Sequence, residues 1–333
     1  MKQFSPFFLF AMIALTACKK NISSETPTAA KTSNSNIIGL TDTVKIPLTE
    51  MGSTTYLGFT GGLYPDGTDT PSGQYASDLQ SFASSIIPLD TFGNRSSKGV
   101  IGFITIGGST GSILISALKR ITKDNPATNP KLRLASGSDT GANIDEINDT
   151  ISSKYWPHVQ AKLLKNGVHP RQVEVVYMET DDTLQNLNFP FRPRELKKKF
   201  EECLRILKLK FPNLKLVYFL SRTTTFLPKA KNAVIGEPAP YYNGWACKFT
   251  IEDQINGARS VAYKGKNAVA PLATWGWYEW SIPDQPREDG FIWTKDDTSD
   301  GLHANQTGAN KLATNFQNFL LTDPYASIWY AKH

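Results

Sequence analysis

The sequence predicts an α/β fold with a parallel central sheet. Three observations carry that reading. Short, β-branched apolar runs recur along the chain, helix-period patterns lie between them, and a glycine-rich turn joins the first run to its helix.

The first run is Val100 to Ile106 (VIGFITI). It is strand-length and apolar throughout, as a strand buried on both faces must be. Ile113, Leu114, Ala117, Leu118 and Ile121 then recur at helical spacing. Lys131 to Ala135, Val173 to Met178 (VEVVYM) and Leu214 to Leu220 (LKLVYFL) give three more strands. Leu196, Phe200, Cys203, Leu204, Leu207 and Phe211 form a second helical stripe, which Pro212 ends. A last helix is expected from Asn305 to Leu321, with Ala309, Leu312, Ala313, Phe316 and Leu320 on one face. Such β-α-β units cross over right-handedly and place functional loops at the carboxyl ends of the strands. Two stretches differ in texture. Residues 41–93 are dense in Gly, Pro and Asp and read as turns and loops. Residues 223–290 read as a long aromatic excursion over the carboxyl edge of the sheet.

The chain begins with a separate signal. Lys2 is followed by nine apolar residues, Phe7 to Leu15, and then by Leu15-Thr16-Ala17-Cys18. Nine residues are too few to cross ~30 Å of hydrocarbon as a helix, but they suit a cleaved export signal. The ending resembles the bacterial lipobox, in which the cysteine is lipidated. The expected organisation is therefore a signal peptide at 1–17, a Ser/Thr/Asn-rich flexible tether at 18–38 starting from lipidated Cys18, and one domain at 39–333. The membrane is met through lipid alone. Lys19 after the cysteine leans towards outer-membrane sorting, by resemblance to known lipoprotein signals.

The formal net charge is +6, but the lysines between Arg194 and Lys210 alternate with glutamates, as on a solvated helix face. No nucleic-acid motif is present, so no nucleic-acid partner is expected. Cys203 and Cys247 are far apart; they could pair in an exported chain or stay buried as thiols. No Cys/His spacing suggests zinc, and no cofactor is expected.

Two segments could carry chemistry. Ile106-Gly107-Gly108-Ser109-Thr110-Gly111 puts a serine at a strand-to-helix turn, where open amides and the helix dipole favour a developing negative charge. Such a turn suits a nucleophile, and equally a phosphate. Far downstream, Asp300-Gly301-Leu302-His303 precedes the last helix. A serine nucleophile needs a general base, and the imidazole needs a carboxylate to fix its tautomer. Of the four histidines, His158 starts a helix, His169 precedes a proline and His333 is terminal. His303 alone has carboxylates beside it in a suitable turn.

These residues together resemble the SGNH (GDSL-type) hydrolases, in particular an uncharacterised bacterial lipoprotein branch. Its motifs are matched here by the turn around Ser109, Tyr155-Trp156, Ser221-Arg222, Glu237-Pro238, Trp275-Gly276 and Asp300-Gly301-Leu302-His303, from about Tyr56 to Tyr330. The resemblance implies a flavodoxin-like three-layer α/β/α sandwich and a serine esterase, many of whose relatives deacetylate carbohydrates. It implies Ser109 as nucleophile, His303 as base and Asp300 as its orienting acid. The oxyanion would be held by the backbone amides of Ser109 and Gly137, the latter within LASGSDTG. Two departures are visible. Gly107-Gly108-Ser109 replaces Gly-Asp-Ser. The third block, normally Gly-x-Asn-Asp, is Glu179-Thr180-Asp181-Asp182, without the oxyanion-binding asparagine. Losing one such donor typically costs ~2.7–4 kcal/mol of barrier. Thr110, Asn143 and Arg222 are candidate replacements.

A carbohydrate ester is thus the expected substrate. Trp275 and Trp277 could stack on sugar rings or pack in the core. Arg222 and Glu237 could orient a polar substrate or pair with each other. The alternative is a glycan-binding lipoprotein on a degenerate hydrolase scaffold, favoured by the missing asparagine and disfavoured by the retained Ser109, Asp300 and His303. Lipid or thioester hydrolysis fits less well, because no long apolar groove is evident.

Overall fold

A computed structural model describes residues 43–184, 186–228 and 234–333, together with Met1. The chain divides into two units, Met1–Ile38 and Gly39–His333. The signal segment, Cys18 and the tether fall in the first and, Met1 apart, lie outside the described residues.

Five parallel strands form the central sheet: β1 (Ile101–Gly107), β2 (Leu132–Ala135), β3 (Val173–Glu179), β4 (Leu216–Phe219) and β5 (Leu272–Trp275). Their order is β2-β1-β3-β4-β5, the flavodoxin-like order. The four expected strands are all present, in register through pairs such as Ile104 with Val176 and Met178 with Phe219. Every residue of β1, β3 and β4 is buried, which is why these strands read as unbroken apolar runs rather than alternating ones.

Helices cover both faces: α1 (Gly73–Ser84), α2 (Ser109–Lys123), α3 (Ile144–Asn148), α4 (Tyr155–Lys165), α5 (Phe191–Lys210), α6 (Ala239–Ile255), α7 (Gln306–Thr322) and α8 (Ser327–Tyr330). Side-chain alternation along the strands fixes the layers. Phe103, Tyr177 and Tyr218 point one way and meet Phe316 and Phe319 of α7. Met178 and Phe219 point the other way and meet Cys203 and Phe200 of α5. The result is the three-layer α/β/α sandwich.

Two expectations change. Residues 41–93 contain α1 and a short helix, Leu48–Met51, besides turns. The apolar stripe of α1 is only Tyr75, Leu79 and Ala83, diluted by Ser, Gln and Asp. Residues 223–290 are not merely a loop: they hold α6 and the edge strand β5. Buried on almost every side, α6 shows no one-sided stripe to read. Its polar side chains are satisfied inside; Lys248 donates to the Tyr64 carbonyl at 2.8 Å and pairs with Glu252 at 2.9 Å. Cys203 and Cys247 are both buried free thiols.

Candidate active site

The strand order reverses around β1, whose neighbours are β2 and β3. In open α/β sheets ligands bind at such a switch point, beyond the carboxyl ends of the strands. Ser109 is there, as the first residue of α2, immediately after Gly108. Gly107 is required by packing: a Cβ on it would lie 2.0 Å from the Glu179 carbonyl oxygen of the neighbouring strand. The first turn of α2 is further held by the Tyr177 hydroxyl, which donates to the Gly111 carbonyl at 2.8 Å.

His303 arrives from the other end of the chain. Ser109 Oγ lies 2.8 Å from His303 Nε2, and His303 Nδ1 lies 2.7 Å from Asp300 Oδ2. The other carboxylate oxygen, Asp300 Oδ1, accepts the backbone N–H groups of Leu302 (2.9 Å) and His303 (2.7 Å). The bonds from the His303 ring and backbone hold the Asp300 carboxyl down at about 2. Gly301 takes φ +88°, which lets the turn close, and its carbonyl accepts the Phe226 N–H at 2.7 Å. Asn305 caps α7 by accepting the Gly308 N–H, so the His303 turn is anchored on the helix behind it. Ser109, His303, Thr140, Asn305 and Gln306 line one cavity of about 580 Å³ between α2 and α7.

The other expected residues are placed differently. Gly137 is a correction: its N–H donates to the Thr105 hydroxyl at 3.1 Å, inside the sheet, and is not open to an oxyanion. In the same loop, the N–H of Gly141 has no acceptor among the described residues, and Thr140 beside it reaches the cavity. Asn143 is occupied, since its side chain caps α3 and donates to Thr183. Asp181 does not face the serine unpaired; its carboxylate lies 3.1 Å from Arg192. Asp182 pairs with Lys199 at 2.7 Å.

Sequence reading missed Glu179. Its carboxyl sits under the first turn of α2, with Oε2 3.8 Å from a Cβ built on Gly111. Burial pushes this carboxyl up, against the pull of Arg222, the Thr110 hydroxyl and His303. Glu279, also buried, is pushed up by burial and by Glu179, against Arg222 and Arg287. The Arg222 charge also pulls Asp181 down against its burial, as it does Glu179 and Glu279. Of the two readings of Arg222 and Glu237, the pairing is not found: no ion pair joins them among the described residues. Glu237 is half-buried, accepts the Trp280 indole N–H at 3.1 Å, and is pushed up to about 7 by desolvation.

The aromatic platform is also corrected. Trp275 is 3 % exposed, and its indole N–H donates to the Leu63 carbonyl at 2.7 Å. Trp277 is half-buried edge-on against Phe291, with the Arg287 guanidinium 5.0 Å from its ring centre. Trp275 is a packing group, and Trp277 packs against the core while partly exposed.

No family model and no curated protein matches the chain. Solved structures are similar to it at a distance. A GDSL-like lipase from Bacteroides thetaiotaomicron is 8 % identical, covering 74 % of this chain and 96 % of its own, with a TM-score of 0.38. A carbohydrate esterase family 3 protein from Talaromyces cellulolyticus is 13 % identical, covering 67 % and 97 %, with a TM-score of 0.36. The periplasmic domain of a lipopolysaccharide acetyltransferase from Salmonella ser. Paratyphi A is 13 % identical, covering 75 % and 100 %, with a TM-score of 0.38.

Proposed function

We propose that the protein is a serine esterase that removes an acyl group, acetyl in the first instance, from a carbohydrate. The observation that carries this is the unbroken Ser109–His303–Asp300 hydrogen-bond chain at the switch point. His303 Nε2 takes the Ser109 proton as Oγ attacks the ester carbonyl, and returns it to the departing sugar hydroxyl. Asp300 orients the ring and stabilises its charged form. Water then attacks the acyl-serine by the same route, with His303 again as base. The oxyanion forms at the N-terminus of α2, where the Ser109 amide and the helix dipole meet it. The second donor is an amide of the 139–142 loop, for which Gly141 is the candidate. The hydroxyl and amide groups of Ser112, Ser116, Thr140, Asn305 and Gln306 in the cavity support a hydroxylated substrate.

A second reading, glycan binding without turnover, draws on one specific observation: neither a third-block asparagine nor the Gly137 amide is available. Hydrolysis of 4-nitrophenyl acetate separates the two. Wild-type turnover that falls to background in both Ser109→Ala and His303→Ala supports the esterase. Equal inactivity of all three proteins, repeated on acetylated polysaccharide, would leave glycan binding.

A further inference from the structure

The cavity at Ser109 does not end at the triad. Ser112, Ser116 and Arg120 follow Ser109 at helical spacing on one face of α2, and all four line the same cavity. At 1.5 Å per residue the row spans roughly 16 Å. Asn305 and Gln306 face it from the start of α7. Hydroxyl and amide groups line this groove alongside the apolar Ile113, Ala304 and Ala309.

Arg120 closes the far end. Its Nη1 donates to the Ser116 carbonyl at 3.3 Å and its Nη2 to the Asn310 side-chain oxygen at 3.1 Å. Among the described residues no carboxylate lies within ion-pair distance of it. The guanidinium is exposed, steadied by two neutral acceptors, and keeps further N–H donors for a ligand. A planar fork of this kind matches a carboxylate.

We propose that this groove selects esters of acidic oligosaccharides. The acylated sugar sits at Ser109, the neighbouring rings hydrogen-bond along Ser112 and Ser116, and a uronate carboxylate further along the oligosaccharide lies on Arg120. The proposal rests on the carbohydrate-ester reading but concerns binding, so it can fail separately.

The test is calorimetric titration of the full chain carrying Ser109→Ala, which needs no turnover. The probes are hexagalacturonate and xylohexaose, an acidic and a neutral oligosaccharide of equal length. The acidic one is expected to bind about two- to fivefold tighter, as for a single partly solvated charge pair. Adding Arg120→Gln should erase that preference, and Arg120→Lys should keep part of it. Raising salt from about 50 to 300 mM should shrink it, because the contact is solvent-accessible. Equal affinity for the two probes, no binding of either, or a preference that survives Arg120→Gln would overturn the proposal. Arg120-dependent binding in a protein that hydrolyses no ester would instead count against the esterase reading alone.

Discussion

Asp181 stands where the resembling hydrolases carry an oxyanion-binding asparagine, yet its carboxylate is held by Arg192 rather than presented to the serine. Arg192 also donates to the carbonyls of Asp182 and Val234, so it is committed on the protein side. The carboxylates that a linear reading sets against the oxyanion are therefore neutralised or turned to other work. Glu179 lies closest to the nucleophile's turn, and its burial beside Glu279 favours the neutral form of both. We expect that Asp181→Asn will not raise kcat, because the side chain stays on Arg192. Weakening a buried charge-assisted contact should instead lower stability by about 2–3 kcal/mol. Chemical denaturation and 4-nitrophenyl acetate kinetics on the same variant check both statements. A marked gain in kcat would mean that the asparagine reaches the oxyanion after all.

The elements also desolvate carboxyls outside the triad. Glu174, near the start of β3, accepts the Ile87 N–H at 3.2 Å, while its second oxygen is buried without a partner. Burial raises it from 4.5 to about 8, and burial raises Glu237, just before α6, to about 7. A carboxyl raised on folding contributes stability that is complete below its unfolded pKa and is lost as pH rises through its folded one. Tm should therefore fall between pH 5 and pH 8, and the fall should flatten in Glu174→Gln and Glu237→Gln, as pH-dependent thermal melts would reveal. An unchanged slope in both variants would place the charge elsewhere. Element by element, the sheet was legible wherever burial was two-sided and the run was long. The stripes of α2, α5 and α7 were legible because each helix has one wet face. By contrast, α6 was hidden because it is buried all round, and β5 because it is four residues long beside Pro271. Ser109, Asp300 and His303 could be singled out because turn chemistry marks them. Gly137 was misassigned because its N–H is claimed by the Thr105 hydroxyl, a contact with no sequence signature. Glu179 and the groove to Arg120 depend on which faces meet across the sheet, which periodicity alone does not specify.

At the scale of the molecule, among the described residues no helix is long and apolar enough to cross a membrane. Attachment through Cys18 remains a proposal, and the tether after it would let the domain work near a surface. Cys18→Ser should move the protein from the detergent-rich to the aqueous phase on phase separation; equal partitioning of variant and wild type would remove the lipid anchor from the account. The domain itself brings together residues 194 positions apart, Ser109 from the end of β1 and His303 from the turn before α7. That convergence at the switch point supports the proposed activation of Ser109 as a nucleophile. The most direct measurement is reaction with a fluorophosphonate, followed by intact-mass and peptide mass spectrometry. One phosphonyl group on Ser109, lost in His303→Ala, is the predicted result. No adduct, an adduct on another residue, or labelling that survives His303→Ala would contradict it.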